Sequence, residues 1–139
     1  MTDWHEREAE LAARAVEARR WAYAPYSNYP VGAALLTASG KIYDGVNVEN
    51  AAYPDSICAE RTAVFKAASE GEREFVAVAV ASADGGGTPC GSCRQVLAEF
   101  GLDTAVLIAD SAGRIVKRTT VRDLLPDSFG PQQLGKSIA

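Results

Sequence analysis

Apolar residues near the amino terminus recur at three- to four-residue steps, with gaps, among polar positions. This spacing is typical of a helix with one buried face, and it predicts a helix over residues 3–22. Two prolines then interrupt the pattern. Residues 31–37 and 41–47 are apolar-rich segments on either side of a turn sequence at 38–40, so we expect a β-hairpin there.

The rest of the chain alternates between helical and extended patterns. Helices are predicted over residues 58–69, 89–100 and 121–125, and strands over residues 75–83, 104–109 and 114–117. Only four residues separate the last two strands, whereas parallel neighbours need a crossover of a dozen or more, so these two strands are expected to be antiparallel. The pattern predicts one α/β domain over residues 1–139, with a sandwich built around a five-stranded mixed sheet.

Composition and charge narrow the classes of function. The 139 residues are 47% hydrophobic and 23% charged, as in an ordinary folded domain. The net charge of −4 argues against a nucleic-acid polymer as partner, because phosphate-backbone binding requires a basic surface. No apolar run is long enough to span a membrane, and the polar start at residues 1–6 is unlike a signal peptide, so a cytoplasmic protein is expected. Residues 84–88 are rich in glycine but lack the Lys-Ser/Thr of a phosphate-binding loop, and they are interpreted as a flexible linker.

The three cysteines carry the strongest chemical signal. An odd number fits poorly with a set of disulfides, which leaves thiols or metal ligands. Cys90 and Cys93 form a C-x-x-C pair at a predicted helix start, where both sulfurs share one face, and Cys58 starts another helix. Helix amino termini favour thiolates over thiols. Three protein ligands would leave one position of a tetrahedral Zn²⁺ open, as in catalytic sites, and Arg61 is the candidate to offset the thiolate charge.

Each of these residues also has a simpler interpretation. The C-x-x-C pair alone could be a thioredoxin-like redox pair, Cys58 a small buried apolar residue and Glu60 a solvated helix charge. His5, the one histidine of the sequence, is expected to lie on the surface. The combination Cys58-Ala59-Glu60 with Pro89-Cys90-Gly91-Ser92-Cys93 favours zinc, because the simpler interpretations would all have to coincide.

That combination resembles the three-cysteine variant of the zinc-deaminase signature H-x-E…P-C-x-x-C. Five segments resemble the homotetrameric cytidine deaminases, and the likeness runs from about residue 20 to residue 134. These segments are residues 25–35, 47–53, 58–63, 89–95 and 124–131. The resemblance implies a three-layer α/β/α sandwich and a zinc-dependent, hydrolytic deamination of free cytidine and 2′-deoxycytidine to uridine and 2′-deoxyuridine plus ammonia, in pyrimidine salvage. It also implies one Zn²⁺ per subunit and a homotetramer with shared sites, in which a tail over residues 126–139 reaches a neighbouring subunit.

The resemblance also implies roles for individual residues. Glu60 would take a proton from a zinc-bound water, protonate N3 of the base and assist the departure of ammonia. Asn47 and Glu49 match the family pair that hydrogen-bonds the ribose 3′-hydroxyl, and their i, i+2 spacing points both to one side of an extended segment. Arg94 and Gln95 belong to the cysteine motif and are expected to have a structural role.

Four further positions complete the implied site. Tyr29 stands where the family usually has a phenylalanine on the pyrimidine, and its added hydroxyl needs a partner if it is buried. The main-chain N–H of Ala59 and the carbonyl of Thr88 would contact the base edge. Phe129 matches an aromatic residue that enters the site of a neighbouring subunit. Judged by residue type alone, the two aromatic residues would be ordinary core residues.

Three other functions share part of this pattern. Blasticidin S deaminase resembles the chain at the zinc motifs, but a ribose-binding Glu49 is not expected there. Deaminases of tRNA or DNA place a helix between the last two strands, often use a histidine ligand and tend to be basic. This sequence has a four-residue connection there, no available histidine and an acidic charge balance, which argues against that function. A zinc-stabilised binding module would leave Glu60 without a purpose.

Overall fold

The helices and strands follow one another in nearly the predicted order. The computed structural model describes residues 3–137, so the last two residues of the predicted tail lie outside the described part. The helices are α1 (Glu8–Arg19), α2 (Ala59–Ser69), α3 (Gly91–Phe100) and α4 (Val121–Leu124). The strands are β1 (Gly32–Thr37), β2 (Ile42–Val46), β3 (Phe75–Ala81), β4 (Ala105–Ala109) and β5 (Ile115–Thr120). Within residues 3–137, no helix has the length and apolar character needed to cross a bilayer.

The five strands form one mixed sheet in the order β2-β1-β3-β4-β5. Strand β1 pairs antiparallel with both β2 and β3, and β3 pairs parallel with β4 across a connection that contains α3. Strands β4 and β5 are antiparallel, as the four-residue gap in the predicted strands required. The predicted α/β fold with a five-stranded mixed sheet is confirmed.

The helices cover both faces of the sheet and make three layers. Strand β3 is buried on both faces, and its side chains alternate between them with period two. Val78 and Val80 face the layer of α2 and α3, whereas Ala77, Ala79 and Ala81 face α1. The small residues on the α1 side allow that helix to lie close to the sheet.

The strand predicted over 75–83 ends at Ala81 and the helix predicted over 89–100 begins at Gly91, and two larger differences have reasons in tertiary structure. The first helix ends at Arg19 rather than at residue 22, because Tyr23 forms a parallel β-bridge with Val48. The helix is preceded by a 3₁₀ turn that the Asp3 side chain caps. Strand β5 continues to Thr120 rather than Lys117, since its exposed polar residues still pair with β4 along the sheet edge. Polar edge residues give no alternating pattern from which the longer strand could be read.

Two glycines let helices lie directly on strand backbone. A Cβ atom at Gly45 of β2 would come within 2.5 Å of the Ala59 carbonyl oxygen and 2.6 Å of the Ala63 nitrogen in α2. On the opposite face, a Cβ at Gly32 of β1 would overlap the Ala15 carbonyl oxygen of α1. The first close approach matters for function, because it places the first turn of α2 next to the end of β2.

Candidate active site

The three cysteines converge although Cys58 lies 32 residues before Cys90 in the chain. Their Sγ atoms lie within 4.8 Å of one another, with 3.8 Å between Cys58 and Cys90 and 3.4 Å between Cys90 and Cys93. Cys58 is the residue that precedes α2, Cys90 precedes α3, and Cys93 lies in the first turn of α3. Two helix amino termini, where main-chain N–H groups lack partners within the helix, therefore meet at one sulfur cluster, which favours thiolates.

The spacing of these sulfurs fits a zinc ion. Zn–S bonds of about 2.3 Å in a tetrahedron place two sulfurs about 3.8 Å apart, close to the distances that the free thiols already have. All three thiols are free of disulfide bonds, and together they supply three ligands. Among residues 3–137 they are the one cluster of cysteine, histidine or acidic groups with metal-binding geometry. His5 instead contacts Glu8 at the start of α1, on the surface, as expected.

Charge around the cluster supports an ionised sulfur at Cys58. Arg61 Nη2 lies 3.4 Å from Cys58 Sγ. Hydrogen bonds from the Cys93 thiol and from Arg61 lower the pKa of Cys58 to about 5. The proton that Cys93 donates to Cys58 raises the pKa of Cys93 itself. The Arg61 guanidinium is thus positioned to offset negative charge at the cluster.

Glu60 is a buried carboxyl group beside this cluster. It is the second residue of α2 and only 4% exposed. Burial raises the pKa of the Glu60 carboxyl to about 7, and the negative charge of the Cys58 thiolate acts in the same direction. A carboxyl with a pKa near neutrality can both accept and release a proton, which is the property that general acid–base catalysis requires.

A cavity of about 240 Å³ joins the sulfur cluster to the groups expected to bind substrate. Glu60, Cys58 and Cys90 line one part of it. Five of the six residues expected to contact substrate line it as well, namely Tyr29, Asn47, Glu49, Ala59 and Thr88. The sixth, Phe129, is 59% exposed and lies outside the lining.

Asn47 and Glu49 both hydrogen-bond the segment that carries Tyr29. Asn47 Oδ1 accepts from the Val31 main-chain nitrogen at 2.9 Å, and Asn47 Nδ2 donates to the Tyr29 carbonyl at 2.9 Å. Glu49 accepts hydrogen bonds from the hydroxyl and the main-chain nitrogen of Ser27. The Ser27 hydroxyl also holds the pKa of Glu49 below its ordinary value. These bonds fix one wall of the cavity.

Ser27 is a lining residue that sequence reasoning missed. Its hydroxyl donates to Glu49 and accepts from the Tyr29 nitrogen at 3.1 Å, so it links two expected site residues. The only signal in the sequence is a serine between Tyr26 and Tyr29 in a segment flanked by prolines. Gly87, which also lines the cavity, gives no chemical signal at all because it has no side chain.

Arg94 and Gln95 bond to main-chain carbonyls beside the site. Arg94 Nε donates to Pro89 and Nη1 to Leu124, both at 2.7 Å, which ties the start of α3 to the end of α4. Gln95 Nε2 donates to the Phe129 carbonyl at 2.8 Å and so holds the following tail. These contacts agree with the structural role expected for both residues.

Comparisons with known proteins agree with this geometry. Residues 5–109 match the family described as the cytidine and deoxycytidylate deaminase zinc-binding region. A cytidine deaminase from Sporosarcina psychrophila is 48% identical over 126 residues, which cover 90% of this chain and 93% of that protein. The crystal structure of cytidine deaminase from Burkholderia pseudomallei superposes with a TM-score of 0.82 at 48% identity, over 86% of this chain and 97% of that one.

A more distant relative covers still more of the chain. A cytidine deaminase from Mycobacterium tuberculosis is 40% identical over 135 residues, which cover 95% of this chain and 93% of that protein. Because the family match spans more than half of the chain and includes all three cysteines, the ligand set and the fold have one explanation. This chain belongs to the zinc-binding cytidine and deoxycytidylate deaminase family.

Proposed function

We propose that this protein deaminates free cytidine and 2′-deoxycytidine hydrolytically, releasing uridine or 2′-deoxyuridine and ammonia, as an enzyme of pyrimidine salvage in the cytoplasm. The observation that carries the proposal is the placement of buried Glu60 in one cavity with two sulfurs of a three-cysteine zinc site. The relatives from three bacteria are named cytidine deaminases, which supports the choice of base.

Cys58, Cys90 and Cys93 are the residues that would hold zinc. Zinc held by these residues would act as a Lewis acid and would lower the pKa of a water molecule bound to it. Glu60 would take up a proton from that water, because burial raises the pKa of its carboxyl to about 7 and so makes it a better proton acceptor. It would deliver that proton to N3 of the cytosine ring as the water oxygen bonds to C4. It would then take the remaining hydroxyl proton and pass it to the amino group, so that the C4–N bond breaks and ammonia leaves. Its burial beside the cysteines would limit exchange of these protons with bulk solvent.

The other lining residues would orient the nucleoside. Asn47 and Glu49 would hydrogen-bond the ribose 3′-hydroxyl, and their bonds to residues 26–31 hold them ready for it. The Ala59 N–H and the Thr88 carbonyl would contact the base edge, and the Tyr29 ring would pack on the pyrimidine. Such preorganised contacts lower the barrier by holding C4 of the base in a reactive position.

A free nucleoside fits the site better than a polynucleotide. The net charge of −4 provides no basic track for a phosphate backbone. The turn between β4 and β5 contains no helix that could form one side of a nucleic-acid groove. Glu49 is the residue that favours a ribose over blasticidin S, because its carboxylate lies in the cavity and accepts hydrogen bonds from the main chain of Tyr26 and Ser27.

We further propose a homotetramer in which Phe129 enters the site of a neighbouring subunit. Phe129 is 59% exposed, and Gln95 holds its main chain outside the cavity of its own subunit. Trp21 and Tyr53, each 70% exposed, give the surface further large apolar groups for subunit contacts. The mass in solution, measured by light scattering after gel filtration, tests the assembly, and an active monomer would exclude it.

The decisive experiment follows the loss of ultraviolet absorbance with cytidine, 2′-deoxycytidine and blasticidin S in parallel. Metal analysis is run on the same sample. We expect turnover of both nucleosides by protein that contains one zinc per chain. Turnover of blasticidin S alone would reassign the substrate, and zinc content without turnover of any compound would indicate a zinc-stabilised binding module.

A further inference from the structure

We propose that Gly87 is a positioning residue for Tyr29, because its missing side chain leaves the notch in which the Tyr29 hydroxyl lies. The inference rests on the proposed function only in taking the cavity lined by both residues as the substrate site. It accounts for the hydroxyl that sets this chain apart from the usual family phenylalanine.

The notch is defined by three short distances. A Cβ atom at Gly87 would lie 3.0 Å from the Tyr29 hydroxyl oxygen and 3.2 Å from both Cβ and Oγ of Ser82. Ordinary van der Waals contact at a Cβ begins at 3.4 Å, so even a methyl group would force one neighbour to move. The Tyr29 hydroxyl and Ser82 thus lie against the same bare face of Gly87.

Ser82 is the neighbour that cannot move easily. It follows β3, is 1% exposed, and its hydroxyl accepts a hydrogen bond from the Gly87 nitrogen at 3.3 Å. Tyr29 is 43% exposed, so its ring has room on the solvent side. A methyl group at Gly87 would therefore displace the Tyr29 ring or lift the loop that carries Thr88.

The main chain of Tyr29 cannot absorb the displacement. Its nitrogen donates to Ser27 Oγ at 3.1 Å and its carbonyl accepts from Asn47 Nδ2 at 2.9 Å. Rotation of the side chain is the remaining freedom, and that rotation moves the ring along the cavity wall. The ring and Thr88 are both expected to contact the base, so the predicted effect is on substrate binding more than on chemistry.

Alanine is a clean probe at this position. Gly87 is not among the glycines with a left-handed backbone, so an added methyl group strains contacts and not the main chain. Gly86 offers a matched control in the same loop, because the three atoms nearest to a Cβ there all belong to the Asp84 side chain, the first at 3.2 Å. Gly86 does not line the cavity.

The test is a double-mutant cycle with zinc-loaded full-length protein. Wild type, Gly87→Ala, Tyr29→Phe and the double variant are compared by KM and kcat for cytidine, zinc content and thermal unfolding midpoint. Gly87→Ala is expected to raise KM about fivefold or more, with kcat changed less than about twofold and zinc retained. In the double variant KM should return to within about twofold of the Tyr29→Phe value, since the space left by the hydroxyl lets the methyl group move away from Ser82. Gly86→Ala should match wild type.

Two results would overturn the inference. One is a Gly87→Ala variant with wild-type KM, and the other is a KM penalty that stays the same in the Tyr29→Phe background, which would assign the clash to Ser82. Should Gly87→Ala fail to fold, folding of the double variant alone would support the pairing, and failure of both would contradict it. If wild type deaminates no nucleoside, the proposed function is wrong. The contact between Gly87 and Tyr29 can still be tested then, because the unfolding midpoints of the four proteins show whether the effects of the two substitutions are coupled.

Discussion

Arg61 Nη2 lies 3.4 Å from Cys58 Sγ, so the residue that follows Glu60 in α2 directs its positive charge at the sulfur cluster. Its Nε atom is buried and has no hydrogen-bond partner among residues 3–137. A buried polar group without a partner is costly, which indicates that the guanidinium is held there for its charge. Three thiolates around Zn²⁺ would leave a net negative site, and the Arg61 guanidinium lies beside it.

Removing that cation should weaken zinc binding. We expect Arg61→Gln to lower zinc affinity about 10- to 100-fold, as is typical for groups that support metal ligands. Competition with a coloured chelator measures the affinity. Arg61→Lys keeps the positive charge but lacks the planar guanidinium, so its zinc affinity should lie between those of wild type and Arg61→Gln. Wild-type affinity in Arg61→Gln would show that the contact with Cys58 contributes nothing to the metal site.

Glu60→Gln tests the proton-transfer role directly. The amide keeps the size of the side chain but cannot take up a proton, so we expect turnover of cytidine to fall at least about 10²- to 10⁴-fold. Zinc content and unfolding midpoint should remain close to wild type. Glu99→Gln, the same change at an exposed position of α3, is the control and should leave turnover unchanged. Near-native turnover in Glu60→Gln would remove Glu60 from the mechanism.

Gly45 should be needed for the metal site, whereas Gly32 should matter for stability alone. A methyl group at Gly45 would push on Ala59 and Ala63, at the start of α2 next to Cys58. One at Gly32 would push on α1, which carries no site residue. Both alanine variants should have lower unfolding midpoints than wild type, because overpacking lowers the free energy of unfolding by about 1–3 kcal/mol.

Zinc content distinguishes the two glycine variants. We expect Gly45→Ala to lose zinc to a chelator that leaves Gly32→Ala fully loaded. Metal analysis after dialysis against graded chelator provides the comparison. Equal retention by both variants would show that the position of α2 on the sheet does not control the cysteine cluster.

The hydrogen bonds to Glu49 should make part of the stability sensitive to acid. Its pKa is lowered from 4.5 by the Ser27 hydroxyl and the main-chain N–H groups, so folding favours the carboxylate. A group with a lowered folded pKa stabilises above its unfolded pKa, and this contribution is lost as the pH falls through the folded value. The unfolding midpoint of wild type should therefore exceed that of Glu49→Gln at pH 7, and this difference in midpoint should disappear as the pH falls below about 4.5. A gap that is independent of pH would rule out a role for the charge.

Phe129 should affect substrate binding without affecting assembly. We expect Phe129→Ala to raise KM for cytidine by up to about tenfold while the proposed tetramer persists, because the variant would lose one aromatic contact in the neighbouring site. Leu134→Ala, another exposed apolar residue of the tail, is the control. Light scattering reports the assembly and steady-state kinetics report KM. Unchanged KM in an intact tetramer would place Phe129 outside the site.

Local sequence predicted the elements and the metal ligands because both depend on short-range features. Apolar periodicity indicated five strands and the main helices, and the C-x-x-C spacing placed two sulfurs on one helix face. The gap between β4 and β5 was short enough to decide their direction. The resemblance to a known family, rather than spacing, supplied the base and the sugar.

Tertiary structure alone decided how the cavity is built. Ser27 joins Glu49 to Tyr29, and Gly87 makes room for the Tyr29 hydroxyl, through contacts between segments that are distant in sequence. A glycine or serine carries no periodic signal, since its importance depends on which atoms the fold brings near it. The sequence by itself determined which chemical groups the protein has and on which elements they lie. Their distances, their burial and the resulting pKa values arise only when α2 and α3 pack on the sheet.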